Sequence, residues 1–229
     1  MPFQNEFYKS AFSVDNVIFG FDSDRLKVLL IKRKDNPFAG MWALPGDIVQ
    51  PDQDLDEGAK HVLKELTGVT NVYLEQVHTF GKVNRHPRGR VITVAYYSLV
   101  NINDVKTQAD SFADKVEWKE IQMIDQLAFD HYDIVMTCLA RLQLNIKLRP
   151  IGFELLPPKF TLTQLQRLYE SILDQELDKR NFRKKILSMN ILRAHNEMQT
   201  GVAHRPAKLY SFDSQKYQLA KKNGFIFEL

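Results

Sequence analysis

Residues 44–69 read LPGDIVQPDQDLDEGAKHVLKELTGV, and this stretch decides the fold of the N-terminal part of the chain. Apolar side chains recur three or four residues apart from Leu55 to Leu66, which is the spacing of one face of an α-helix. Gly68 follows directly, and glycine is a common helix stop. The stretch therefore predicts a loop followed by a helix over 55–67.

The same stretch resembles the Nudix box, in which Gly, five residues, Glu, seven residues and Arg-Glu-apolar-x-Glu-Glu-x-Gly-apolar follow in order. Laid over 47–69, the box is matched by Leu63, Glu65, Gly68 and Val69. The departures are Asp47 for Gly, Gln53 for Glu, His61 for Arg, Val62 for Glu and Leu66 for Glu. The resemblance implies a Nudix fold that lacks most of the carboxylates of the box.

The missing carboxylates bear directly on magnesium binding. Positions 62, 65 and 66 are neighbours on one helix face, where three carboxylates would hold Mg²⁺ against a pyrophosphate. Here that face presents Val62, Glu65 and Leu66, and a single carboxylate between two apolar side chains is a poor magnesium site. We therefore expect no catalytic residue, no metal ligand and no cofactor, and hence no enzymatic activity.

Outward from the box, apolar runs predict the rest of the N-terminal domain. Residues 12–33 form two β-branched runs around the turn Asp22-Ser23-Asp24, which predicts a hairpin. Further strands are predicted at 72–77, 90–100 and 115–121, and a helix from about 132 to 148. The prediction is an α/β (α+β) protein with a Nudix-like α/β/α sandwich and a mixed sheet in residues 1–149.

The remaining residues, 150–229, predict a winged helix-turn-helix domain. Thr161 and Gln164 form a capping box that opens one helix, and Asp178 is a good N-cap for a second helix that runs to about Met189. Strand-like segments follow at 191–194 and 207–212. Helix, tight turn, helix and hairpin is the outline of this DNA-binding fold.

The charge of the chain is unevenly distributed. Residues 151–229 carry 13 Lys+Arg and 8 Asp+Glu, net +5, whereas the preceding 150 residues carry 18 and 20, net −2. The basic residues on the second tail helix suit the major groove and the phosphates of DNA. The predicted DNA-binding residues are Lys179, Arg180, Asn181, Arg183 and Lys184 on the helix, with Arg205 and Lys208 at the wing, where His204 is a further candidate.

Two longer segments are similar to the Nudix-related transcriptional regulators called NrtR. They are HTFGKVNRHPRGRVITVAYYSLV, residues 78–100, and LLPPKFTLTQLQRLYESILDQELDKRNFRKKIL, residues 155–187. The resemblance implies a Nudix-like domain that senses a small metabolite and a winged helix that binds a double-stranded operator as a homodimer. The helix over 132–148 would set the spacing of the two winged helices, and the operator half-sites would be related by two-fold symmetry.

We expect a sugar such as L-arabinose as the effector, with an ADP-ribose-type ligand as the alternative. ADP-ribose-type ligands would need cations, which Lys82, Arg85, Arg88 and Arg90 can supply. A neutral sugar needs a carboxylate, an amide and an aromatic face, and the arabinose-responsive branch of the family favours L-arabinose. The predicted effector-binding residues are Trp42, Asp47, Glu65, Lys82 and Arg90.

Together these features predict a ligand-responsive DNA-binding regulator, most simply a repressor. The alternatives are a metal-dependent hydrolase of ADP-ribose or a related compound, and a protein-interaction module. The single cysteine, Cys138, cannot form an internal disulfide, and the chain has neither a signal peptide nor an apolar run of about 20 residues. We therefore expect a cytoplasmic protein without a membrane partner.

Overall fold

The computed structural model describes residues 10–22, 24–105, 113–201 and 205–229, and its chain divides into two compact units. Unit 1 comprises Met1–Gly20, Lys27–Val100 and Asp104–Arg141, and unit 2 comprises Phe21–Leu26, Asn101–Asn103 and Leu142–Leu229. The main division falls inside a helix, whereas the domain boundary after residue 149 stays a prediction. Within the described ranges, no helix has the length and apolar character needed to cross a membrane.

A seven-stranded sheet forms the centre of unit 1. Its order is β3-β2-β1-β6-β5, with β4 paired to β1 and β7 paired to β2. The strands are β1 Ala11–Phe21, β2 Leu26–Arg33, β3 Trp42–Ala43, β4 Gly46–Ile48, β5 Tyr73–Phe80, β6 Val91–Asn101 and β7 Ala113–Glu120. The predicted hairpin and the three later strands are present. The short strands β3 and β4 lie in a stretch with too few residues to show a period of two.

Helices cover both faces of this sheet. Helix α1, Leu55–Thr67, has the predicted bounds and ends at Gly68, whose φ of 71° is left-handed. Its buried side chains pack with Val14 and Ile18 of β1. Asp15, which points to the opposite face because strand side chains alternate, lies beside His131 at the start of α2, His131–Leu148. The predicted α/β fold class with a helix–sheet–helix sandwich is confirmed.

Unit 2 contains a winged helix. Helices α3, Leu162–Leu173, and α4, Lys179–Ser188, are followed by β9, Leu192–Met198, and β10, Lys208–Phe212, which pairs with both β9 and β8, Phe160–Thr161. The predicted capping box is present, since Gln164 N–H donates to Thr161 Oγ1 at 3.1 Å and Thr161 N–H donates to Gln164 Oε1 at 2.8 Å. Asp178 caps α4 through the N–H of Asn181 at 2.8 Å. Strand β8 and helix α5, Ser214–Lys222, were not predicted.

Candidate functional site

A cavity of about 260 Å³ opens in unit 1 beside β1 and β2. Unlike an ordinary apolar core, it is lined by both positive and negative side chains. The charged lining residues are Asp15, Arg33, Asp35, Asp47, Arg85 and Arg88. The lining also includes the rings of His86, Phe129 and His131.

One side of the cavity is a buried polar network. Arg85 makes two hydrogen bonds to Asp130, from Nε at 2.8 Å and from Nη2 at 2.6 Å, and its Nη2 lies 3.6 Å from Asp15 Oδ2. The N–H of Leu44 donates to His131 Nδ1 at 2.9 Å, which leaves the proton of the neutral ring on Nε2, 3.5 Å from Asp15 Oδ1. Burial lowers the pKa of His131 in spite of the nearby carboxylates. The imidazole is therefore neutral at pH 7 and directs its N–H towards Asp15.

The other side of the cavity is cationic. The Arg33 guanidinium lies 5.0 Å from the ring centre of Phe129, and Nε donates to Pro37 O at 2.8 Å. Arg88 donates through Nη2 to Asn36 O. Burial and then the positive charge of Arg88 lower the pKa of Arg33. Since neither guanidinium has an ion pair within the described ranges, this side favours an anion.

Phe129 gives the cavity its aromatic wall. Its ring stacks on His86 with centroids 5.0 Å apart and an interplanar angle of 11°, and Phe38 meets it edge-on at 4.8 Å. The backbone of Phe129 has a φ of 56°, a left-handed conformation that costs a residue with a side chain about 1–2 kcal/mol. Non-glycine residues in this conformation cluster at ligand sites.

The box helix does not fit a magnesium site. Val62 is 3 % exposed and Leu66 is fully buried, and both belong to the core cluster between α1 and the sheet. Glu65 is exposed and has no second carboxylate of the box beside it. In the part of the chain that the structure describes, no three His, Cys, Asp or Glu residues are grouped so that they could hold a metal ion.

Of the five predicted effector-binding residues, Asp47 lines the cavity and the other four do not, among the residues that the structure describes. Trp42 is half-buried on β3, with Lys119 Nζ 4.6 Å from its ring centre. Glu65 is exposed on α1, Lys82 is exposed in the loop after β5, and Arg90 donates to Gly81 O at 2.5 Å. The effector-binding role of all five stays a prediction.

Sequence reasoning did not single out Asp15, Arg33, Phe129 and His131 as cavity residues. They belong to separate segments, and no motif connects them. Arg85 and Arg88, which the sequence marked only as a source of positive charge, do line the cavity. The cluster of basic residues between β5 and β6, together with Asp47 of the box, was the local signal for this site.

In unit 2, helix α4 separates an apolar face from a basic one. Phe182 and Ile186 are buried, and four of the predicted DNA-binding residues are exposed: Lys179, Arg180, Asn181 and Lys184. Arg183 differs, because it is half-buried and donates from Nη2 to Thr163 Oγ1 at 3.0 Å. Lys185 is also exposed and was not predicted. The geometry makes Arg183 a link between α3 and α4 as much as a surface cation.

Two other cations of unit 2 are engaged within the protein. Lys159 Nζ lies 2.6 Å from Glu197 Oε1, and Arg193 Nη2 lies 3.2 Å from Asp213 Oδ2. Arg205 and Lys208 are exposed near the wing, whereas His204 lies outside the described residues. The basic face of α4 is therefore a candidate surface for a polyanion in this unit, and α5 also exposes Lys216, Lys221 and Lys222.

Comparison with known proteins agrees with both units. The family described as the NrtR DNA-binding winged helix domain matches residues 152–212, and the NUDIX domain family matches residues 10–138. The ADPR responsive transcriptional repressor NtrR of Acinetobacter baylyi is 36 % identical over 218 residues, which are 93 % of this chain and 86 % of that protein.

Two solved structures are also similar. Shewanella oneidensis NrtR complexed with a 27mer DNA has a TM-score of 0.79 and 30 % identity, and the match covers 90 % of this chain and 95 % of that one. The NUDIX domain of the same NrtR complexed with ADP ribose has a TM-score of 0.53 and 34 % identity, over 58 % of this chain and 88 % of that one.

Proposed function

Because the chain belongs to the family of regulators that join a Nudix domain to an NrtR winged helix, we propose that it represses transcription by binding an operator through unit 2 and that an ADP-ribose-like metabolite bound to unit 1 controls this binding. The family and the regulator class are established by the full-length match. The effector, the direction of control and the residues involved form the proposal.

The observation that carries DNA binding is the exposed basic face of α4. Lys179, Arg180 and Lys184 have no ion pair within the described ranges, so their charges are available to phosphates. A second helix of this fold lies in the major groove, where Arg and Asn can bond to base edges. The related NrtR of Shewanella oneidensis has a structure complexed with DNA, which supports the same role here.

The effector is proposed to be anionic. The related NUDIX domain was solved complexed with ADP ribose, and the Acinetobacter relative is described as ADPR responsive. The guanidinium groups of Arg33 and Arg88 favour the same chemistry, because burial and the charge of Arg88 lower the pKa of Arg33 and a bound anion would offset both effects. L-Arabinose stays a prediction of the sequence and belongs in the test as a competing effector.

The assembly is proposed to be a homodimer. Helix α2 exposes four large apolar side chains, Tyr132, Met136, Leu144 and Leu148, each at least 40 % accessible. Burial of such side chains against a second copy is favourable, and two-fold operators match two-fold proteins. Location in the cytoplasm likewise stays a prediction.

The decisive experiment begins with selection of duplexes from a random library by the full-length protein. We expect enriched sequences with two-fold related half-sites. Binding of a selected duplex is then followed by fluorescence anisotropy with ADP-ribose, AMP or L-arabinose. ADP-ribose should change the affinity about 5- to 150-fold, the usual range of allosteric coupling. An affinity that none of the three compounds changes would contradict effector control.

The hydrolase alternative is tested in parallel. The protein is incubated with ADP-ribose and Mg²⁺, and release of AMP and ribose 5-phosphate is measured by chromatography. Because the box helix presents one carboxylate, we expect no turnover. Turnover by the wild type that is abolished by Glu65→Gln would support the hydrolase alternative. Lys64→Gln is the matched control on the same helix.

A further inference from the structure

We propose, on the basis of the function proposed above, that the cavity of unit 1 takes a single ribose phosphate, with its phosphate at Arg33 and Arg88 and its ribose hydroxyls at Asp15. Such a unit occurs twice in ADP-ribose, once at the adenosine end and once at the terminal ribose. The experiment below distinguishes these two sources.

The phosphate side follows from the two arginines. Arg33 donates to Pro37 O at 2.8 Å and to Asp35 O at 3.4 Å, and Arg88 donates to Asn36 O. Backbone carbonyls of one loop therefore fix the orientation of both guanidinium groups. Among the described residues, no carboxylate oxygen lies within ion-pair distance of either guanidinium, although the charges of Asp35 and Asp15 act on Arg33 from farther away. Like charges held together in a partly buried cleft repel one another, and an anion between them removes the repulsion. Phosphate suits arginine because two parallel N–H groups match two of its oxygens.

The hydroxyl side follows from Asp15. This carboxylate is 6 % exposed, yet its neighbours Arg85 and His131 lie 3.6 and 3.5 Å away, longer than normal hydrogen bonds. A buried carboxylate needs donors, and within the described ranges no other group supplies one. Two adjacent sugar hydroxyls provide two O–H donors to one carboxylate. The His131 Nε2–H group points towards Asp15 Oδ1 but lies too far away to satisfy it, so Asp15 can still accept hydrogen bonds from both hydroxyls.

Gly46 makes the approach to Asp15 possible. A Cβ at position 46 would lie 2.3 Å from Asp15 Oδ1 and 2.6 Å from Val14 O. Any side chain there would therefore push the carboxylate out of place. Gly46, the first residue of β4, therefore allows β4 to pair closely with β1 at Asp15, which lines the cavity.

The size and the wall of the cavity fit one sugar phosphate. Its volume of about 260 Å³ is below the roughly 300–1,000 Å³ of pockets that enclose a whole drug-sized ligand. Phe129, which is stacked on His86 and lies beneath the Arg33 guanidinium, forms the apolar part of the wall beside these two groups. A dinucleotide-like effector would place one ribose phosphate inside and leave its remainder outside.

The test is isothermal titration of the full-length protein, without DNA, using ribose 5-phosphate, AMP, inorganic pyrophosphate and ADP-ribose. Arg88→Gln removes an exposed side chain and should weaken every probe about 10- to 100-fold, as loss of a charged hydrogen-bonding partner does. Asp15→Asn should weaken the sugar phosphates about 10-fold and should leave pyrophosphate as tight or tighter, since it removes a negative charge. The matched control is Lys34→Gln, which removes an exposed cation next to Arg33 and should change nothing.

Whichever of AMP and ribose 5-phosphate shows both losses identifies the end of ADP-ribose that the cavity holds. Arg33→Lys keeps the charge and loses the two-pronged geometry, so a loss of affinity in this variant at unchanged melting temperature separates binding from folding. Equal affinities in wild type, Arg88→Gln and Asp15→Asn, or no binding of any probe by the wild type, would overturn the assignment. Binding with the expected losses but no effect of ADP-ribose on DNA affinity would leave the assignment in place and overturn effector control.

Discussion

Helices α1 and α4 are both amphipathic, but their charged faces differ in the role that we assign to them. Each buries an apolar stripe and exposes charged side chains, Glu57 and Glu65 on α1 and Arg180 and Lys184 on α4. On α4 the exposed charges form the candidate DNA surface. On α1 the exposed charges do not line the cavity, and two of the three positions that carry metal ligands in the Nudix box, Val62 and Leu66, are part of the core.

The difference shows where polar chemistry resides in each unit. Unit 2 presents it on a regular helix, where residues three and four apart share one face and a partner reads them directly. Unit 1 uses its helix as a scaffold and places its polar groups on strand ends and loops around a cavity. A charged helix face therefore indicates a site in one unit and only a solvated surface in the other.

The largest expected effect comes from restoring the box carboxylates. Val62→Glu with Leu66→Glu places two acids in the core, and each buried charge costs several kcal/mol, so we expect a loss of at least about 4 kcal/mol in the free energy of unfolding. Urea denaturation measures it. The control is Lys60→Glu with Lys64→Glu on the exposed face of α1, expected to change stability by about 0.5 kcal/mol or less per site. A stable Val62→Glu/Leu66→Glu protein that hydrolyses ADP-ribose would contradict the view that this face of α1 serves only as part of the core.

The next effect concerns α4 as the reader of DNA. Arg180→Ala with Lys184→Ala should weaken binding of the selected duplex by about 100-fold, since each contact contributes roughly 1–3 kcal/mol. The slope of log affinity against log salt should fall by about two, measured by anisotropy. Lys60→Ala with Lys64→Ala removes the same charge from α1. Equal losses in both pairs would mean that only net charge matters.

A third effect tests the buried network of the cavity through pH. Because burial lowers the pKa of His131, the unfolded state binds the proton first as the pH falls below 6.5, and the folded state loses stability from there downwards. Wild type should lose up to about 1.4 kcal/mol per pH unit more than His131→Asn, whose amide oxygen can still accept from Leu44 N–H. Melting temperatures between pH 7.5 and 5.5 measure the difference. His61→Asn on the exposed face of α1 should behave as wild type, and an identical pH profile for His131→Asn would argue against a buried neutral imidazole.

The smallest effect concerns how α3 supports α4. Thr161→Ala removes the side-chain cap and should lower the free energy of unfolding by about 1 kcal/mol. Thermal unfolding measures it, with the exposed Thr200→Ala as control. Affinity for the selected duplex should be unchanged, because the cap does not face α4's exposed side chains. A large loss of DNA affinity would instead make α3 part of the reading surface.

Local sequence signals predicted the fold well. The helix over 55–67 has the predicted bounds because the apolar period, the acidic first turn and the terminal glycine all indicate the same limits. Helix α4 begins directly after its predicted cap, Asp178. The short strands β3, β4 and β8 escaped prediction, since two or three residues cannot show a periodic pattern. Helix α5 buries none of its side chains and so lacks the apolar stripe that reveals a helix.

The sequence by itself determined that the box had lost its acidic face, that a basic winged helix follows, and that Phe182 and Ile186 of α4 face inwards, because each depends on residues only a few positions apart. Only the tertiary structure brought Asp15 to Gly46, Arg33 to Phe129 and Arg85 to Asp130, and it turned Arg183 towards Thr163. These pairs are separated by 20 to 96 residues along the chain, as their numbers show. Periodicity and capping act within a helix turn or a strand, whereas the position of a cavity is set by packing between distant segments, for which a single sequence carries no distance information.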